Sequence, residues 1–115
     1  MRSIPTHSPS NVVALDDLGP GGASHLYGVQ PGSGPAEPQR IQFQCGPRNA
    51  PSSVPGMMDD DLLAIVEDRL VGFLAGPFAS PESAQALEHI RSARESLGHR
   101  VAERISRGVL GRAVK

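Results

Sequence analysis

The chain is predicted to be an α+β protein, a small antiparallel β-hairpin followed by a two-helix antiparallel hairpin, assembled into an oligomer. Three observations predict it. Gly and Pro crowd the first half, with 17 of the 24 such residues lying before residue 58. Within that half, two short runs alternate apolar and polar residues as half-buried strands do. From Asp59 onward the apolar residues change to helical spacing.

Taken in order, residues 1–18 are expected to form a flexible N-terminal arm, because Pro5, Pro9 and several Ser residues disfavour a packed helix. Residues 19–57 form a β-hairpin region with long loops. Its strands are HLYGVQ (25–30) and RIQFQC (40–45), and PGSGPAEPQ between them is turn material. Two strands alone are marginal in water, so they need a helix or a second copy to pack on.

Residues 58–111 form the helical hairpin. DDDLLAIVEDRLVGFL places Leu62, Ile65, Val66, Leu70, Phe73 and Leu74 at helical spacing, with three Asp residues in the favourable first turn. Gly76-Pro77 stops this helix. Ser80 then caps a second one that has Pro81 at its first position and runs to about Arg107. Its stripe is Ala84, Leu87, Ile90, Leu97, Val101 and Ile105. At roughly 40 Å it outruns the first helix by several turns, so its far half calls for a partner such as a second chain. Gly98 permits a close approach there. Residues 112–115 are a short tail.

Composition sets bounds on function. A chain of 115 residues makes one domain, and 38% apolar residues with one Tyr and no Trp leave little core, which favours oligomerisation. The formal net charge is −1, but residues 1–88 carry four Arg and ten acidic residues, whereas residues 89–115 carry six Arg, one Lys and two Glu. Such an end suits an anionic group without attracting duplex nucleic acid strongly. Cys45 is alone, so no disulfide framework or Cys-based zinc site is expected. No stretch is long and apolar enough for a membrane span, and no signal peptide is visible, so the cytoplasm is the expected compartment.

Catalytic patterns are weak throughout. His89 and His99 lie near one helical face without a third ligand at metal-site spacing, so solvated histidines are the plainer reading. The serines lack a nucleophile elbow, and GPGG at 19–22 has no Gly-Lys-Ser/Thr to make a phosphate loop. Asp59, Asp60 and Asp61 point around a helix start, where capping is their ordinary task. The expectation is a binding protein, not an enzyme, with no cofactor and no metal.

Arg100, Arg104 and Arg107 share one helical face at i, i+4 and i+7. Guanidinium groups suit bidentate phosphate contacts, although a solvated or salt-bridged face is the commoner use of such spacing. Phe73 and Phe78 flank the helix–helix corner, where an aromatic either plugs the core or stacks on a nucleobase. The expectation is that Phe78 plugs the corner and Phe73 faces a groove. Because Arg100 lies roughly 30 Å beyond that corner, a site built from Phe73 and Arg100 requires two subunits of an antiparallel dimer.

The runs GGASHLYGV, IQFQCGP, LLAIVEDRL-x-x-F, GPFA and the closing R-x-x-x-R-x-x-RGV-x-G, in this order and spacing, resemble the first family of phage anti-Thoeris sponge proteins. The resemblance covers roughly residues 19–111. It implies a two-stranded β region, a helical hairpin shared with a phage anti-CBASS sponge family, and dimers that can assemble into hexamers. It also implies a protein that binds cyclic ADP-ribose isomers made by TIR-domain proteins and withholds them from the Thoeris effector, uncleaved. For some members it implies a separate site for the cyclic oligonucleotides of CBASS.

The resemblance assigns ligand contacts residue by residue. Phe73 matches a stacking aromatic, Ser83 falls where the family commonly has Asn, and Arg100 matches a ligand-binding arginine. Arg48, after the second strand, matches another phosphate-binding arginine, and Arg104 and Arg107 extend the basic face. This sequence departs from the pattern in NAPSSVPGM before the first helix, in Ser83, in Val101 for a common Thr and in Leu110 for a common Glu. Two rival readings stand beside it: a sponge for CBASS cyclic di- or trinucleotides only, and a helical adaptor that inhibits a host protein.

Overall fold

A computed structural model describes residues 1–32, 37–46 and 50–106. Arg48 and Arg107 lie outside the described residues, as does the 112–115 tail. The fold is α+β, with a four-stranded antiparallel sheet and two helices, and the chain divides into two compact units between Met57 and Met58.

The first unit is a meander of β1 (Arg2–Ile4), β2 (Asn11–Ala14), β3 (Leu26–Gln30) and β4 (Gln39–Gln42), hydrogen-bonded in that order. The sheet therefore has twice the strands expected, because the supposed N-terminal arm contributes β1 and β2. Ile4 pairs with Val12, and Val12 in turn with Val29. β-Branched Ile4, Val12 and Val13 suit a pleated surface. Pro5 and Pro9 sit in the connection between the strands, where no ladder N–H is needed. Proline and serine thus argued correctly against a helix; they did not argue against two short strands.

β3 and β4 pair antiparallel with Leu26 opposite Gln42 and Val29 opposite Gln39. The second predicted strand is shorter than 40–45. Beyond Gln42 the predicted strand continues as isolated bridges among the described residues, Phe43 with Met57 and Cys45 with Val54. Gly56 allows this return: a Cβ there would lie 2.5 Å from the carbonyl carbon of Phe43, inside contact distance. Tyr27 meets Phe43 edge to face, with ring centroids 5.7 Å apart. Ala14 is fully buried, and Gly28 of the neighbouring strand is buried too.

The β2–β3 connection is held by Asp16. Its carboxylate accepts the backbone N–H groups of His25 (2.9 Å) and Leu26 (3.2 Å), while the Ser24 hydroxyl donates to the Asp16 carbonyl at 3.3 Å. The GPGG run lies in this connection as a single 3-10 turn, with Gly21 and Gly22 at φ of 76° and 82°, values that suit glycine.

The second unit is an antiparallel hairpin of α1 (Asp59–Leu74) and α2 (Pro81–Ser106). The Met58 N–H donates to the Asp61 carboxylate at 2.8 Å, so one of the three aspartates caps the helix as expected. α2 is capped by Ser80, whose Oγ accepts the Ser83 N–H at 3.1 Å. The residues withdrawn from solvent recur at alternating intervals of three and four. Among them are Asp60, Leu63, Glu67, Leu70 and Leu74 on α1, and Ser83, Leu87, Ile90, Arg94, Leu97, Val101 and Arg104 on α2, with Leu62, Ala64 and Ala86 half-buried beside this series. This is the spacing of a helix–helix seam. Leu87 is the one buried side chain of the two helices, at 7% exposure.

The seam divides the apolar residues of α1 and corrects one expectation. Ile65, Val66 and Phe73 belong to a second, exposed flank of α1, not to the packed one. Phe78 does not plug the corner. It is 76% exposed, because the bend carries it outside both helical registers, and the buried and half-buried positions near the bend are Leu87 and Leu74. A Cβ at Gly98 would meet nothing within 4 Å, so no close approach occurs there among the described residues.

Candidate functional site

α1 ends in a turn that exposes an aromatic–cation pair. Arg69 and Phe73 are one helical turn apart, and the Arg69 guanidinium carbon lies 5.3 Å from the centroid of the Phe73 ring. Phe73 remains 38% exposed and Arg69 is exposed. Ser83 stands at the same end of the hairpin, in the first turn of α2. It is half-buried, and its hydroxyl accepts from that of Ser80 at 3.0 Å, which makes it part of the helix cap.

Arg100 and Arg104 stand at the other end. Arg100 is exposed and Arg104 half-buried. The register follows from Arg94, which bonds Asp60 and Glu67. Phe73 lies roughly 20 Å along α1 from Asp60, and Arg100 roughly 9 Å beyond Arg94 in the opposite direction. One chain therefore brings Phe73 and Ser83 to one end, and Arg100 and Arg104 to an end some ~30 Å away.

Electrostatics within the hairpin centre on Arg94. Its Nε and Nη2 fork onto Asp60 at 2.8 and 3.2 Å, its Nη1 reaches Glu67 at 2.9 Å, and Arg91 approaches Glu67 at 3.6 Å. The hydrogen bonds from Arg94 hold the Asp60 carboxyl below the usual range, and those bonds raise the pKa of Arg94 itself. In the sheet unit, the His25 N–H, followed by other backbone donors, lowers the Asp16 carboxyl against the opposing effect of desolvation.

Two of these residues escaped the sequence reading. Arg94 falls on the apolar stripe of α2, and its spacing from Leu87, Ile90 and Leu97 was the available signal. Arg69 precedes Phe73 by four residues, and an arginine at that spacing before an aromatic is a readable pair. His89 and His99 are both exposed on α2, and no cluster of metal-ligating side chains occurs among the described residues.

Fold and surface together define a small α+β protein in which a four-stranded meander precedes a helical hairpin that exposes an aromatic–guanidinium pair at one end and carries Arg100 and Arg104 at the other. No family model matches the chain. Over 71 residues it is 38% identical to Thoeris anti-defense 1 of Bacillus phage SBSphiJ7, an alignment covering 62% of this chain and 49% of the relative. The chain thus spans about half the length of the curated relative it matches. No helix among the described residues is long and apolar enough to cross a membrane.

Proposed function

We propose that this protein is a phage anti-Thoeris factor that acts in the cytoplasm of the infected bacterium, binding a cyclic ADP-ribose-type signal and holding it uncleaved. The observation that carries this reading is the 38% identity over 71 residues to a phage protein named for Thoeris anti-defence. The exposed ring of Phe73 supports it, since such a face stacks on adenine, and arginines suit a pyrophosphate.

The hairpin geometry adds a condition. A single ligand that touches both Phe73 and Arg100 must lie between two chains, because one chain holds these residues at opposite ends. The functional unit in this proposal is accordingly an antiparallel homodimer, with a hexamer as a trimer of dimers. A second site, for cyclic oligonucleotides of CBASS, would lie where several subunits meet. No cofactor, metal or duplex nucleic acid takes part, and removal of the signal from solution replaces turnover.

Isothermal titration calorimetry with cyclic ADP-ribose isomers and cyclic trinucleotides, run side by side, tests this. Nanomolar binding of an ADP-ribose isomer, recovered intact after the protein is denatured, is the expected result. Binding of cyclic trinucleotides alone would redirect the proposal to CBASS. Absence of any binding would overturn sequestration and favour an adaptor that inhibits a host protein.

A further inference from the structure

Between Ile65 and Phe73 the exposed flank of α1 is apolar except at one position. Ile65, Val66 and Phe73 are 56%, 40% and 38% exposed, and a Cβ at Gly72 would meet nothing within 4 Å. Arg69 stands in the middle of this flank. Its neighbours at i−4, i−3, i+3 and i+4 are Ile65, Val66, Gly72 and Phe73, so the helix offers it no carboxylate on its own face. Among the described residues it makes no hydrogen bond and no ion pair, whereas Arg91 and Arg94 both find carboxylates of α1. Its guanidinium lies over the Phe73 ring.

We infer that Arg69 is a further ligand-binding residue: the Arg69–Phe73 pair forms one platform for a nucleotide, with the base stacked on the aromatic–guanidinium surface and a phosphate taken by the unspent N–H donors of Arg69. This rests on the sequestration reading and adds a residue to its site. The chemistry selects the ligand class. With the Arg69 guanidinium over one face of the Phe73 ring, the outer guanidinium plane or the opposite ring face suits a planar heterocycle, and the guanidinium N–H donors suit an oxyanion joined to that heterocycle through a single sugar. A purely apolar partner would leave the guanidinium desolvated and unpaired, which is costly. Gly72, one helical turn from both Arg69 and the bend, keeps the approach to the platform open.

The test is calorimetry of the full chain with cyclic ADP-ribose isomers, using Arg69→Gln, Arg69→Lys, Phe73→Leu and the Arg69→Gln/Phe73→Leu double variant. Thermal melts and sedimentation accompany each titration. Arg69→Gln should weaken binding about tenfold while leaving melting and oligomer mass unchanged. Arg69→Lys should recover only part of the loss, because an ammonium is a point charge that neither stacks nor forks. In the double variant the two losses should fall short of additive, as residues of one platform do.

Wild-type binding with unchanged affinity in Arg69→Gln would overturn the platform and leave sequestration standing. Failure of the wild type to bind would overturn both. Loss of affinity together with loss of the oligomer would overturn the platform and make this flank a contact between copies.

Discussion

Arg94 of α2 grips Asp60 of α1 with a two-pronged hydrogen bond, Nε to Oδ1 at 2.8 Å and Nη2 to Oδ2 at 3.2 Å, and reaches Glu67 two turns away with its remaining nitrogen. A residue 34 positions from its partner thereby sets the register of the hairpin. The three side chains are roughly a third exposed or less. Their stabilisation is therefore that of a partly screened network, weaker than that of a dry ion pair.

Replacing Arg94 should lower the melting temperature by several degrees, since Asp60 and Glu67, two turns apart on α1, would be left at the seam without their cation. Arg94→Met should be the more damaging change and Arg94→Lys an intermediate one, because lysine keeps the charge and loses the fork. Thermal melts at low and high salt check this. High salt should narrow the gap between the wild type and Arg94→Met.

The pH dependence follows from the lowered Asp60 carboxyl. The folded pKa lies below the unfolded value, so the contribution is fully present above the unfolded carboxylate pKa of about 3.9. It is lost as the pH falls through the folded value. Asp16 acts in the same direction through its backbone donors. Melts recorded from pH 7 down to pH 3 should show the wild type losing stability at the acid end. Asp60→Asn should start lower and lose less.

The corner of the hairpin offers a contrast between two apolar residues. Leu87→Ala should cost about 2–4 kcal/mol, as truncation of a buried leucine does. Phe78→Ala should change stability by no more than about 0.5 kcal/mol, because that ring is mostly in water. Chemical denaturation of both variants decides it. A large loss for Phe78→Ala in the oligomer would place its ring against another chain.

For the proposed ligand, Phe73→Ala and Arg100→Ala should each weaken cyclic ADP-ribose binding by about tenfold or more, the scale of a lost base stack or charged hydrogen bond. Calorimetry with melting controls measures both. The two-chain geometry adds a sharper expectation. Mixing Phe73→Ala with Arg100→Ala chains should restore a fraction of wild-type sites, since in some dimers one site keeps both residues. No restoration would show that the two residues do not meet across chains.

Much of the architecture was legible in the residues. Asp61 and Ser80 mark helix starts because each supplies an oxygen to an N–H that has no partner within the helix. Gly76-Pro77 marks the stop between them, and the alternation in LYGVQ and QRIQ marks β3 and β4. These are local signals, each readable within a turn or a few residues of itself.

What the sequence left open depends on contacts between distant segments. Ser3 and Val13 become strand residues by pairing, and Val13 sits opposite Gly28, a partner no local pattern announces. α1 is apolar on two flanks, and its periodicity alone ranked Ile65, Val66 and Phe73 with Leu70 and Leu74. Only the packing of α2 chose between them, drawing Leu63, Glu67 and Leu70 into the seam and leaving Phe73 with Arg69 in water. A helix can bury one stripe against one neighbour; the sequence supplied two stripes, and the tertiary structure decided which was spent on the fold.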